Sequence, residues 1–159
     1  MSGHRLGLGI ALAAWLTATA ALGAPATPPA PEPPPGTPAP PHVIHEIRRS
    51  LHDAVHRFDA MDAAGVLAHV SDRYRTGPLT KPLLAEQLRA LFTLHDQVKA
   101  HVRIDEVRLV GDHAWVYSTG GVTGRVRWIG GSVPVLSWQR ELEVARLEDG
   151  RWRLFGYQQ

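Results

Sequence analysis

Histidines with the spacing of a metal site lie along the first predicted helix, residues 42–59. His52 and His56 are four positions apart, which brings two imidazoles to one face of a helix, where both can bind one divalent ion. His45 falls within about 40° of them at roughly 100° per residue. One hypothesis is therefore a metal site at His45, His52 and His56. The alternative is that these residues form only a solvated polar face.

A second group of chemical residues lies on a long predicted strand, residues 134–147. Alternation puts Trp138 and Arg140 on one face with Leu142 and Val144, whereas Gln139, Glu141 and Glu143 share the other. Because the apolar set should face the helices, we predict that Arg140 points inward beside Trp138. There it would bind a ligand carboxylate or a helix carboxylate such as Asp59. The two glutamates are predicted to face outward.

Three further polar residues are candidates for lining the same cavity. His95 continues the apolar stripe of the third predicted helix, Tyr74 lies in a short extended piece, and Ser118 lies on a strand. For His95 the alternative is a packed, hydrogen-bonded histidine with no chemical role.

Helical periodicity predicts the elements that position these residues. The three predicted helices are residues 42–59, 63–70 and 82–94. In the first, apolar residues recur at helical spacing and form one stripe: Ile44, Ile47, Leu51, Ala54, Val55 and Phe58. Asp62 can cap the second helix, and Pro82 suits the first turn of the third.

After residue 96 the period changes to two, which predicts strands over residues 98–109, 114–122, 134–147 and 151–158. Val107 and Leu109 fall out of phase with the preceding residues, so we predict a bulge at Asp105–Glu106. Residues 123–132 are glycine-rich and are predicted to be a twisted strand end or a flap. The expected sheet is antiparallel, with tight turns near residues 111 and 149.

The N-terminal region is typical of an exported protein. Residues 1–26 combine a basic start, an apolar run over 6–22 and small residues at 24–26, so we predict a signal peptide cleaved after Ala26. The alternative is an uncleaved membrane anchor, for which this run is short. Residues 27–41 are proline-rich and are predicted to be an extended linker without a core. The expected location is periplasmic or secreted, with no membrane attachment after cleavage.

Composition excludes several classes of function. The chain has no cysteine, so it forms no disulfide and no thiolate metal site. A formal net charge of +2 in 159 residues argues against nucleic-acid binding. The glycines of Gly120–Gly124 lack the lysine and the helix that a phosphate loop requires. We predict no cofactor.

Three stretches carry a resemblance to a known superfamily: VHRFDAMDA at residues 55–63, VRLVGDHA at 107–114 and LEDGRWRL at 147–154. Through these stretches, the region of residues 42–158 resembles the nuclear transport factor 2-like superfamily, which has a cystatin-like α+β cone fold. Polyketide cyclases, ketosteroid isomerases and dehydratases are among its members. The resemblance implies three N-terminal helices packed on the concave face of a curved, mainly antiparallel sheet of about four long strands. It also implies a pocket at the wide end of the cone.

The resemblance leaves the activity open, because its motifs are structural. Isomerases of this fold need an inward carboxylate base and an oxyanion hole built from a tyrosine and a protonated acid. The predicted outward parity of Glu141 and Glu143 argues against that chemistry. Dehydratases of this fold use a His–acid pair, which here would be His95 with Asp59.

The resemblance also implies a homodimer, formed through the convex face of the sheet. Trp115 and Tyr117 are predicted to lie on that face, opposite Ala114, Val116 and Ser118. Two large aromatic residues outside the core form a patch that needs covering. The alternative cover is the 123–132 segment, with Trp128 packing against the patch.

The sequence therefore predicts an exported domain that binds a small apolar ligand in the cone pocket without catalysis. The alternative is a small cofactor-independent lyase, cyclase or isomerase of the same fold. A second alternative is a metal-binding protein that uses the His45, His52 and His56 face.

Overall fold

The computed structural model describes residues 35–157. The predicted signal peptide 1–26 and the first part of the predicted linker, 27–34, lie outside the described residues. The described part of the chain contains three helices: α1, Pro41–Asp59; α2, Ala63–Leu67; and α3, Lys81–Leu94. Within residues 35–157, no helix combines the length and apolar composition needed to cross a membrane.

Seven strands accompany the helices. They are β1, Thr37–Pro38; β2, Arg75–Thr76; β3, Leu79–Thr80; β4, His95–Val110; β5, His113–Val126; β6, Ser132–Glu148; and β7, Arg151–Leu154. The main sheet has the order β1-β4-β5-β6-β7 with antiparallel pairing, whereas β2 and β3 form a separate hairpin. The α+β prediction, three helices on a curved antiparallel sheet, is confirmed, and the short strand β1 brings the four predicted strands of the sheet to five.

The sheet extends further toward the N-terminus than predicted. Thr37 and Pro38 pair with Leu109 and Arg108 of β4, and Ala39 is buried. The folded part therefore includes the last residues of the segment that was predicted to be a linker without a core. Half of the glycine-rich 123–132 region is strand, because β5 continues to Val126 and β6 starts at Ser132, and residues 127–131 form the turn between them.

The core lies between the helices and one face of the sheet. In α1 the buried residues are Val43, Ile47 and Phe58, which fall on one stripe of the helix. Leu88 of α3 and Val98 of β4 have no exposed surface and pack in the same cluster as Phe58. Burying this stripe is what holds the helices on the sheet.

Two irregularities in the long strands determine which side chains face the helices. The pairing of β4 with β5 shifts between Ile104 and Glu106, which confirms the predicted bulge. A second shift was not predicted: Gly120 of β5 opposes Trp138 of β6, but Ser118 opposes Glu141. Since β6 has one extra residue there, the alternation of its side chains inverts after Trp138.

Candidate functional site

A cavity of about 120 Å³ lies between α1, the other helices and the inner face of the sheet. Most of the lining residues are apolar: Ile47, Leu51, Ala54, Val66, Val70, Leu84, Leu88, Val102, Val116, Ala145, Trp152 and Leu154. Four polar residues share this wall: Ser50, His69, Ser118 and Glu143. An apolar cavity with a few convergent polar groups is the usual form of a small-molecule site.

The polar groups at the helix side of the cavity form a continuous chain of hydrogen bonds. His69, which follows α2, places its Nε2 atom 2.8 Å from Oδ2 of Asp53 on α1. Its Nδ1 atom lies 3.0 Å from Oγ of Ser50, one turn earlier on the same helix. Ser50 in turn donates to the carbonyl oxygen of Trp152 at 3.2 Å. The chain therefore runs from the Asp53 carboxylate through His69 and Ser50 to the sheet.

Ser50 has only one hydroxyl proton, so the group to which it donates depends on which nitrogens of His69 carry a hydrogen. When Ser50 donates to the Trp152 carbonyl, its oxygen accepts from Nδ1–H, and the Asp53 carboxylate accepts from Nε2–H. That arrangement contains a protonated imidazole. When His69 is neutral, with its proton on Nε2, the Ser50 hydroxyl turns and donates to Nδ1. The Ser50 hydroxyl can therefore act toward His69 either as an acceptor or as a donor.

Asp53 is the acid that orients the histidine. The hydrogen bond from His69 lowers the pKa of Asp53 below its ordinary value, and the charge of Arg57 acts in the same direction. Asp53 therefore stays ionised at neutral pH and fixes a proton on Nε2 of His69.

Glu143 lies on the opposite wall, contrary to the prediction. The extra residue in β6 places Glu141 directly opposite Ser118 and Glu143 opposite Val116, and directly paired residues share a face of the sheet. Glu143 consequently lines the cavity. The argument against an inward strand acid was therefore wrong, and its physical cause is the unpredicted bulge.

Tyr74 is buried, with 2% of its surface exposed, and packs in the cluster of Val70, Leu79 and Leu84. Burial raises the pKa of its hydroxyl, and the nearby negative charge of Glu143 raises it further. Tyr74 therefore remains neutral, and it lies behind the cavity wall rather than among the lining residues.

Arg140 points away from the cavity, so its predicted inward orientation was wrong. Its guanidinium pairs with Glu106 and lies 5.1 Å from the ring centroid of Tyr117. The side chain is 55% exposed. Arg140 lies in the β6 bulge, between Trp138 and Glu141, and has a φ of 44°. Its backbone N–H donates to Oγ1 of Thr119. It does not contact Asp59 or stand beside Trp138 on the inner face.

Trp138 does face the helices, with 3% of its surface exposed. Its Nε1–H donates to Oγ of Ser118 at 3.1 Å, so it orients a cavity residue from within the core. His95 is also buried, but its Nδ1 atom bonds the Leu91 carbonyl and its ring packs against Gly124. The structure thus gives His95 the packed role that was its alternative.

Asp59 lies at the end of α1 and is bound to the sheet. Its carboxylate accepts from the backbone N–H of Ala100 at 2.9 Å and from Nζ of Lys99 at 3.0 Å. The structure therefore shows no Asp59–His95 pair. A histidine and an acid do pair elsewhere, at His69 and Asp53.

The histidine face of α1 is exposed, as expected for a helix surface away from the core. His52 and His56 approach each other, with 3.2 Å between their Nε2 atoms. Within residues 35–157, no group of three or more His, Cys, Asp or Glu residues is arranged to hold a metal ion. The predicted three-histidine set is therefore wrong, and His45 does not join the other two.

The convex aromatic residues are partly covered within the chain. Trp115 packs edge-on against Tyr157, with ring centroids 5.9 Å apart, and Arg140 lies over Tyr117. Trp128 does not cover them, since it is 76% exposed at the β5–β6 turn. The homodimer through Trp115 and Tyr117 stays a prediction.

Four residues of the site were not recognised as such from the sequence: Ser50, Asp53, His69 and Glu143. Ser50 and Asp53 lie between the apolar and polar stripes of α1, and His69 follows a short helix, so no periodic pattern marks them. One pattern in the sequence could have indicated them: Ser50 and Asp53 are polar, lie three residues apart and flank the apolar stripe of α1.

Comparison with solved structures identifies the fold. A putative scytalone dehydratase from Novosphingobium aromaticivorans superimposes with a TM-score of 0.63 at 15% identity, covering 72% of this chain and 80% of that one. A ketosteroid isomerase-like protein from Erwinia carotovora atroseptica gives 0.58 at 23% identity, covering 73% and 93%. A putative dehydratase of the NTF2-like family from Streptomyces avermitilis gives 0.59 at 12% identity, covering 74% and 95%.

No protein-family model and no curated protein matches the sequence. At these identities the structural likeness establishes the fold alone. The chain has the nuclear transport factor 2-like fold that its sequence resembles, and its function has to be argued from the cavity.

Proposed function

We propose that this protein binds a small, largely apolar molecule in the cavity between α1 and the sheet. The carrying observation is the composition of the wall, which is apolar except for Ser50, His69, Ser118 and Glu143. An apolar cavity of roughly 150 Å³ holds a benzene ring. A cavity of about 120 Å³ therefore matches a ligand of single-ring size.

The polar groups of the cavity wall indicate which polar groups the ligand has. Ser50 and His69 lie on the helix side, and Ser118 and Glu143 on the sheet side. A ring with one hydroxyl or carbonyl group can bury its apolar surface and still find a hydrogen-bonding partner. A strongly charged or large polar ligand would leave buried groups unpaired, and this disfavours it.

Calorimetry with single-ring compounds tests the binding. Phenol, p-cresol and cyclohexanone are titrated into the wild type and into Ala54→Leu, whose larger side chain occupies the cavity. The matched control is Ala90→Leu, an equal change at an exposed position of α3. We expect one site per chain in the wild type and in Ala90→Leu, and none in Ala54→Leu. Equal binding by all three proteins, or none by any, would contradict the proposal.

A second candidate function is cofactor-independent proton transfer, as in a small lyase or isomerase. The observation that favours it is the His69–Asp53 pair, which is linked through Ser50 to the cavity and faces a carboxylate at Glu143. A histidine oriented by an acid can remove a proton from a bound molecule and return it elsewhere. Two of the compared structures are described as putative dehydratases, and a third as isomerase-like.

Hydrogen exchange detects this activity without a known substrate. Cyclohexanone, which has acidic protons next to its carbonyl, is incubated in D₂O with the protein, and deuterium uptake is followed by mass spectrometry. We expect faster uptake with the wild type than with His69→Gln. His101→Gln, at an exposed position of β4, is the control and should match the wild type. The same uptake with all three proteins would leave ligand binding as the only function.

We also propose that the protein acts outside the cytoplasm, as the predicted signal peptide suggests. We further propose that it is a homodimer, formed through the face that carries Trp115 and Tyr117. Intact-mass measurement of the protein from an exporting host should give the mass that begins at Thr27. Sedimentation should give twice the chain mass, and Trp115→Ser should reduce it to one chain. A retained N-terminus would contradict export with cleavage, and a monomeric wild type would contradict the dimer.

A further inference from the structure

His52 and His56 form a close pair on the exposed surface of α1, outside the cavity. They are four residues apart, and their Nε2 atoms are separated by 3.2 Å. The ring centroids lie 4.4 Å apart with an interplanar angle of 76°. The two nitrogens therefore lie close enough to reach one ion beside the helix.

The separation of the two Nε2 atoms matches the distance between two imidazole nitrogens that bind the same metal ion. A metal–imidazole bond of about 2.0–2.1 Å, taken twice, spans roughly 2.9 Å at a right angle and roughly 3.4 Å at the tetrahedral angle. The observed 3.2 Å lies between these limits. Because the two nitrogens are already at this distance, little ordering entropy opposes binding.

We propose that His52 and His56 chelate one divalent transition-metal ion through their Nε2 atoms, with copper(II) bound most tightly. Imidazole ligands suit copper, nickel and zinc, and among these ions copper(II) has the highest intrinsic affinity. A neutral ring that carries its hydrogen on Nε2 binds the ion after that hydrogen has moved to Nδ1, which makes the Nε2 lone pair available.

The surroundings complete the description of the site. Within residues 35–157 no third protein ligand joins the pair, so water completes the coordination. Asp53, the residue that follows His52, also carries a carboxylate. That carboxylate is held by His69, which keeps it out of the coordination sphere but leaves its negative charge nearby.

Titration calorimetry on the exported protein that begins at Thr27, without an affinity tag, tests the site. The probes are copper(II), nickel(II) and zinc(II) chlorides in a non-coordinating buffer. We expect one ion per chain, with copper bound most tightly and in the micromolar range. His52→Ala and His56→Ala should each weaken copper binding by about tenfold or more, because the second imidazole binds as an intramolecular ligand. His45→Ala, two turns away on the same helix, should bind as the wild type does.

Electron paramagnetic resonance of the copper complex gives a second readout. Two nitrogen ligands are expected in the wild type and in His45→Ala, and one in His52→Ala or His56→Ala. Because both histidines are exposed, circular dichroism should show unchanged folding of these variants. No heat of binding, one ion per two chains, or an equal loss in His45→Ala would overturn the proposal.

Discussion

Nδ1 of His69 lies 3.0 Å from Oγ of Ser50, while Nε2 of the same ring is bound to Asp53. Both ring nitrogens of His69 are thus engaged by α1. A ligand in the cavity therefore meets the Ser50 hydroxyl, and any proton that His69 gives or takes passes through it. Ser50 is the residue that connects the His–acid pair to the cavity.

Replacing Ser50 tests this connection. Ser50→Ala removes the donor to the Trp152 carbonyl and leaves Nδ1 of His69 without its partner, so we expect a loss of about 1 kcal/mol in unfolding free energy. The ¹⁵N chemical shifts of the His69 ring should also change. Ser137→Ala, at an exposed position of β6, is the control and should do neither. Equal effects of the two variants would contradict the network.

The Asp53–His69 hydrogen bond predicts a pH dependence of stability. Because this bond lowers the pKa of Asp53, its contribution to stability is present above the unfolded value of about 3.9 and is lost as the pH falls through the folded value. The stability advantage of the wild type over Asp53→Asn should therefore shrink below about pH 4.

Urea unfolding between pH 2.5 and 7 measures that difference. Asp149→Asn, in the exposed turn before β7, serves as the control and should differ from the wild type by the same small amount throughout. An Asp53→Asn difference that stays constant with pH would mean that the carboxylate is not held by His69.

The bulge in β6 predicts an unusual order of stability among variants of Arg140. Its positive φ of 44° is costly for any residue with a Cβ, and glycine avoids that cost. Arg140→Gly should therefore be more stable than Arg140→Ala by about 1 kcal/mol, since both lack the guanidinium and differ only in the backbone term. Thermal unfolding measures this difference, and the reverse order would contradict the left-handed conformation at Arg140.

The same bulge limited what could be predicted from the sequence. The bulge in β4 was visible, because Val107 and Leu109 break the phase of the preceding residues. The one in β6 was hidden, because Val144 is apolar on the outer face. Val144 is buried there, and its carbonyl accepts from the backbone N–H groups of Phe155 and Gly156. With apolar residues on both faces, alternation no longer shows the phase of the strand.

The site escaped prediction for a related reason. Helix periods, the sheet and the fold follow from local patterns, and these were predicted. The bond between Asp53 and His69 depends instead on how α1 packs against the chain after α2, sixteen residues later. Side-chain geometry across such a junction is set by packing, and spacing along the chain does not show it.

Single-cysteine variants test the orientation of β6 directly, because the wild type has no cysteine. Arg140→Cys, on the outer face, should react rapidly with a thiol reagent. Glu143→Cys, on the cavity wall, should react much more slowly and more slowly still in the presence of p-cresol. Uninterrupted alternation along β6 predicts the opposite order.

The location of a bound ligand is the most direct test of the account. p-Cresol is titrated into the isotopically labelled wild type, and methyl and amide signals are followed by nuclear magnetic resonance. We predict saturable shifts concentrated at the cavity residues Val116, Ala145 and Leu88, and their absence in Ala54→Leu. Shifts confined to the exposed residues Trp128 and Ile129, or shifts that persist in Ala54→Leu, would contradict a ligand-binding cavity.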